Sequence, residues 1–288
     1  MLYFILSVVF SVLLLVNFRI HAKYQVDTSL TILLNYPICF LTGWAVQPNA
    51  LPFHWPDMPF TIAMLALGLG FVVTFLLTGY STQKNGMATT SLANNISLVI
   101  PVLFNLLIWN RGGATWTWQV VAGLILAFGA IYFCSPALDG KGKNKSLTAL
   151  LLVFVGYGIT NTAFNFLNAE VSVQAGGTIP FMLMIVLGAI VASVVEIIRG
   201  TILGNFTWNK ASVWAAFPLG LPNFFSFYFL LKTLDYFNNN GAIVLPIFNI
   251  GVIVGSTAVA YLFFKEKISK RQGIGISLGC VAIVLLLQ

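Results

Sequence analysis

Tyr157, Asn161, Asn165 and Asn168 are spaced four, four and three residues apart in an otherwise apolar stretch. On a helix that spacing stacks all of them along one side. Further polar residues interrupt apolar runs elsewhere: Thr74, the neighbours Asn94 and Asn95 in "SLANNISLVIP", Asn223 after Pro222 with Ser226 beyond it, and Asn249. Amides and hydroxyls donate and accept hydrogen bonds but carry no charge and transfer no protons near neutrality. The chemistry they offer is recognition of a small polar molecule. The candidate substrate-binding set is therefore Thr74, Asn94, Asn95, Tyr157, Asn161, Asn165, Asn223, Ser226 and Asn249. Asn17, and Asn35 with Tyr36, are further candidates, as are the aromatics Phe71, Phe224, Phe227 and Phe248.

Apolar residues make up 59% of the chain, charged residues 7%, and mean hydropathy is +0.94. A soluble domain carries about a quarter of its residues charged, so this is an integral membrane protein. Spanning a bilayer takes roughly 20 mostly apolar residues per helix. Ten such stretches are read, at 2–18, 29–46, 60–80, 87–109, 116–134, 147–169, 179–198, 213–231, 240–264 and 272–287. They leave no room for a soluble domain, and no alternating barrel strands occur. The first stretch lacks the basic start and small-residue cleavage site of a signal peptide, and is kept as a helix.

In such a protein a polar side chain either bonds a neighbouring helix or lines a wet cavity. The polar residues gather in spans 3, 4, 6, 8 and 9 and are sparse in 5 and 10, which favours a cavity. Adjacent residues point about 100° apart on a helix. One of Asn94 and Asn95 is thus expected to face the pathway while the other locks a neighbouring helix. Pro37, Pro101, Pro180, Pro222 and Pro246 free backbone carbonyls within spans, and Pro246 with Gly251 and Gly255 offers a bend. Gly275-x-x-x-Gly279 is close-packing chemistry, read as a contact within the fold, with dimerisation the alternative. Cys39, Cys134 and Cys280 form no CxxC and read as small buried hydrophobes.

Every Lys and Arg except Arg111 and Lys232 falls in an odd-numbered connection between spans. By the positive-inside rule those connections are cytoplasmic and both termini lie outside. The midpoint segment "DGKGKNK" becomes a cytoplasmic linker, dividing the chain into residues 1–138, 139–146 and 147–288. An odd number of spans per half makes a duplicated half insert upside down. Three local matches support duplication. "VFSVLLLVN" ending at Asn17 lies on "VFVGYGITN" ending at Asn161. "GMATTSLAN" ending at Asn94 lies on "GAIVLPIFN" ending at Asn249, and Gly68-Leu69 on Gly220-Leu221. Inverted repeats serve alternating access.

These features, with the ending "FFKEKISKRQGIGISLGCVAIVLL", resemble the EamA-type branch of the drug/metabolite transporter superfamily across essentially the whole chain. Glu266, Gly273, Gly275 and Gly279 match its pattern of a Glu after the ninth span, a basic turn and a Gly-rich tenth. Pro101 resembles the Pro of its fourth span, whereas Asn110 stands near where a Glu is expected. The resemblance implies ten helices, spans 5 and 10 at the periphery, and a secondary transporter.

None of the seven carboxylates (Asp27, Asp57, Asp139, Glu170, Glu196, Asp235, Glu266) falls in the middle third of a span. Proton coupling commonly needs such a group, so an exporter, facilitator or exchanger without one is expected. Glu170 remains the candidate coupling residue. Deep Lys or Arg, which phosphate recognition favours, is absent as well. A neutral or zwitterionic, amino-acid-like metabolite is therefore preferred over a nucleotide sugar or phosphorylated metabolite. A non-transporting membrane receptor or scaffold is the other alternative. No cofactor, metal, nucleic acid or enzymatic cluster is expected. The partners are a small-molecule substrate and the lipid bilayer of the cell (inner) membrane, with a monomer favoured over a dimer.

Overall fold

The computed structural model describes residues 1–50, 53–109, 115–134, 146–237 and 241–286. The linker expected at 139–146 lies outside them save for Ser146, and Asn110 and Arg111 lie outside as well. Among the described residues the chain is all helix: α1 (Leu2–His21), α2 (Thr28–Val46), α3 (Met58–Asn85), α4 (Met87–Ile96), α5 (Val99–Phe104), α6 (Trp118–Cys134), α7 (Leu147–Val171), α8 (Thr178–Ile202), α9 (Lys210–Tyr236), α10 (Gly241–Leu262) and α11 (Lys270–Leu285). Eight segments are long and apolar enough to cross a bilayer, the fourth being the broken helix Met87–Trp109. This is an all-α, multi-pass membrane protein. Of the ten expected spans, those at α6 and α11 are shorter, 17 and 16 residues.

Several ends run past the expected boundaries for local reasons. α3 continues five residues beyond Tyr80, because Ser81 bonds Thr90 at 2.8 Å and Asn85 brackets Ser146, so its polar tail is buried and paired. It stops at Gly86, whose φ of +91° an L side chain rarely adopts, and α4 begins at the next residue. At its far end α4 breaks near Ser97. Pro101 has no N–H for the Ser97 carbonyl, which accepts instead from Ile100 at 2.9 Å. A π turn, Asn105–Trp109, completes this fourth span. α10 stays continuous through Pro246. Gly251 and Gly255 seat α10 against Val8 and Val12 of α1.

Packing runs chiefly between residues before and after the midpoint. α1 lies on α9 and α10, α2 on α8 and α9, α3 on α7 and α8, and the fourth span on α7 and α10. α6 and α11 pair at one edge. Glycine sets the closest approaches. A Cβ at Gly68 would land on the α8 backbone at Ile185 and Ala189, and one at Gly220 would meet the Asn35 carbonyl of α2. Gly275 rests on Ala130 and Cys134 of α6, and Gly279 on Leu92 and Ile96 of α4, so the small-residue motif of α11 is an internal contact. One apolar core joins α1, α2, α3, α4, α8, α9 and α10, and a second joins α4, α5, α6, α7, α10 and α11. Cys39 and Cys134 are buried and Cys280 half-buried.

Candidate functional site

Between these helices lies a cavity of about 300 Å³. α7 supplies Tyr157, Asn161, Phe164, Asn165 and Asn168 along the stripe that the spacing describes. The fourth span supplies Asn94, Asn95, Leu98 and Pro101 beside its break. α9 supplies Asn223, Ser226 and Phe227; α10 supplies Leu245, Phe248 and Asn249. α3 adds Phe71, Thr74 and Phe75, α2 adds Tyr36, and α1 adds Ser11, Leu14 and Leu15. All nine candidate substrate-binding residues thus meet at one hollow. No residue of its described lining is charged, and none comes from α6 or α11.

The amides divide into two kinds. Asn95 donates to its own helix at Ser91, at 2.8 Å, and Asn223 donates to the Asn35 side chain of α2 at 2.7 Å. Asn94, Asn161, Asn165 and Asn249 make no side-chain hydrogen bond among the described residues, leaving donors and acceptors directed at the cavity. Asn94 and Asn95 therefore both line the hollow, and Asn95 is held by its own helix rather than by a neighbour. Both sit in the last turn of α4, immediately before the break at Ser97. Tyr157 meets the Thr78 hydroxyl at 3.3 Å, closing the site between α7 and α3.

Asn17 and Asn35 do not line the cavity. Asn17 donates to Pro218 of α9 at 2.9 Å, and Asn35 is fully buried beneath Asn223. Phe224 is core: it packs under Gly43 of α2, while Phe71, Phe227 and Phe248 do line the cavity. Glu170 is exposed, beyond Asn168 and outside the lining. Sequence reasoning gave too little weight to Tyr36 and Asn168. The Tyr36 hydroxyl and the Asn168 side-chain oxygen are buried without a protein partner at the cavity wall. For Asn168 the signal was present in the α7 spacing. Tyr36 was a candidate only through its neighbour Asn35, and of the two it is Tyr36 that lines the cavity.

The cavity is one-sided. Its lining runs from mid-helix to the face holding the C-terminal ends of α7 and α9. Toward the other face the helices are tied together. Phe18 of α1 meets Phe75 edge-on at 5.5 Å, and Ser81 bonds Thr90. Farther out, the Glu266 carboxylate accepts from the Met87 N–H at the start of α4, at 3.1 Å. It also pairs with Arg19 of α1 at 3.2 Å. A helix N-terminus favours an anion, so Glu266 clasps α1, α4 and the α10–α11 connection together. A second, polar hollow of about 380 Å³ opens there, lined by Arg19, Lys84, Asn85, Glu266 and Gln272 among others.

No family profile matches the sequence. An uncharacterized protein of Haemophilus influenzae is 31% identical over 226 residues, 77% of this chain and 74% of that protein. The chain belongs to the same family. A crystal structure of another protein shares the fold, with a TM-score of 0.59 over 97% of this chain and 95% of the other, at 12% identity. That match runs nearly end to end.

Proposed function

We propose that this chain is a secondary transporter moving a small neutral or zwitterionic metabolite, amino-acid-like in size and polarity, by alternating access. The observation that carries the reading is the cavity: uncharged, furnished with unpaired amides, reaching one face and tied shut toward the other. A site alternately open to two sides needs such a one-sided chamber in each state. In hydrocarbon, polar groups are tolerated when water or ligand satisfies them. The broken fourth span beside Asn94 fits the discontinuous helices that commonly form transporter sites.

In this proposal the chain crosses the membrane ten times as two inverted five-helix repeats, with α4 and α5 forming one span. Helix pairing supports it. Exchanging each span with the one five places along turns the α1–α9 contact into α7–α3, α2–α9 into α8–α3, and α1–α10 into α7–α4, all of which occur. The matched glycines behave alike, Gly68 abutting α8 and Gly220 abutting the α2 counterpart. The positive-inside distribution then puts both termini outside and the Glu266 clasp in the cytoplasm, with the cavity facing out. We place the chain with the EamA-type drug/metabolite transporters on this basis.

The uncharged lining argues against a phosphorylated or nucleotide-sugar substrate, which would call for Arg or Lys at the site. The test is thermal stabilisation of the purified protein by panels of amino acids, phosphorylated sugars and nucleotides, followed by uptake into sealed proteoliposomes. Hits among uncharged or zwitterionic compounds, with uptake, are expected. Hits confined to phosphorylated compounds would overturn the substrate class, and binding without uptake would favour a receptor.

A further inference from the structure

His21 ends α1 at the closed face, 2% exposed, with both imidazole nitrogens buried and without a protein partner. At least one of those nitrogens carries a hydrogen to donate, and burying such a group unpaired is unfavourable. Native structures keep few such groups, and each calls for a reason. Four residues before His21 stands Asn17, whose amide is engaged by the Pro218 carbonyl.

The same spacing recurs in α7. The sequence match that lays Asn17 on Asn161 also lays His21 on Asn165. In the structure the two pairs are in opposite conditions. Asn161 and Asn165 line the open cavity with no side-chain bond among the described residues, while Asn17 is locked to α9 and His21 is sealed in. Pro218, which accepts from Asn17, precedes Gly220 by two residues. Ala66 of α3 precedes Gly68 by two, and α3 packs on α7 as α9 packs on α1.

We infer that Asn17 and His21 form the polar lining of a second vestibule, closed in this structure, which takes the same substrate from the Glu266 face. This rests on the transport reading above. In the opposite state the two pairs exchange conditions. Asn161 donates to a carbonyl of α3 at or near Ala66, Asn17 is released from Pro218, and the His21 nitrogens meet substrate or water. The Arg19–Glu266–Met87 clasp ties α1 to α4 on the same face, beside the polar hollow that Arg19 and Glu266 line, and so holds that vestibule shut.

The test reads accessibility and needs no substrate. In the full chain with Cys39, Cys134 and Cys280 replaced by Ala, single reporters His21→Cys and Asn165→Cys are reacted with a small charged methanethiosulfonate reagent in lipid nanodiscs. With the clasp intact, Asn165→Cys is expected to react about tenfold faster than His21→Cys, as for a strongly biased two-state equilibrium. Adding Glu266→Gln should raise the His21→Cys rate and lower the Asn165→Cys rate. Arg19→Gln opens the clasp from its other side and is read in the same way, so one poorly folding variant does not decide the matter. Rates that rise together, or a His21→Cys rate indifferent to both clasp variants, would overturn the inference. Reciprocal rates without uptake of any metabolite would leave the vestibule standing and remove the substrate reading. Uptake without reciprocity would do the opposite.

Discussion

The Asn223 amide donates to the Asn35 side-chain oxygen at 2.7 Å, joining α9 to α2 beneath the cavity floor. Asn249, also on the cavity wall, has no such partner among the described residues. Similar amides in similar surroundings therefore have different duties, and substitution separates them. Asn223→Leu strands the buried Asn35 oxygen, and a loss of about 1–3 kcal/mol is expected, seen as a lower melting temperature in detergent. Asn249→Leu should leave the melting temperature unchanged or raised while abolishing the stabilisation that substrate confers. Equal destabilisation by both would make Asn249 structural.

Asn85 holds Ser146 from both sides, accepting from its N–H at 2.8 Å and donating to its carbonyl at 3.0 Å. Ser146 in turn caps α7, accepting from Ala149 at 3.1 Å. The amide thus pins the start of α7 to the α3–α4 corner. Asn85→Leu is expected to cost about 1–3 kcal/mol, read as a lower melting temperature in detergent. An unchanged melting temperature would show that the bracket contributes nothing to stability.

Glycines here are not equivalent. A side chain at Gly68 would meet the α8 backbone, which cannot step aside, whereas a Cβ at Gly273 would meet nothing within 4 Å. Gly68→Val should therefore prevent recovery of monodisperse protein. Gly273→Ala, inside α11, should be neutral or stabilising by up to about 1 kcal/mol, because alanine has less freedom to lose in a helix. Size-exclusion profiles and thermal melts of the two variants check this.

Glu170 is exposed and outside the cavity lining. If transport proceeds, its dependence on pH should be the same in Glu170→Gln as in the parent protein, measured as uptake into proteoliposomes from pH 5.5 to 8.5. A steep profile that flattens in the variant would make Glu170 the coupling group.

Much of the site was legible because its residues lie on regular helices in an apolar background. Tyr157 to Asn168 are brought to one side by the helical period alone, and polar side chains in such a chain have few places to go but inward. Glu266 could be recognised from the pattern of its surroundings. Its bond to the start of α4 could not, since the two are 179 residues apart and meet only through packing. The shared facing of Asn94 and Asn95 was likewise hidden. A regular helix points neighbours about 100° apart, and only the arrangement of the surrounding helices shows that the cavity is wide enough to touch both.

Composition and periodicity by themselves determined that this chain is a membrane-spanning helical protein with uncharged polar residues directed inward, because hydrocarbon penalises unpaired polar groups whatever the fold. Tertiary structure decided which amides are bonded and which are left open. Asn17 and Asn161, matched in sequence, differ because Asn17 meets the Pro218 carbonyl of α9 while Asn161 lines the hollow. Such a difference belongs to the relative placement of whole helices, which the local pattern of neither segment contains.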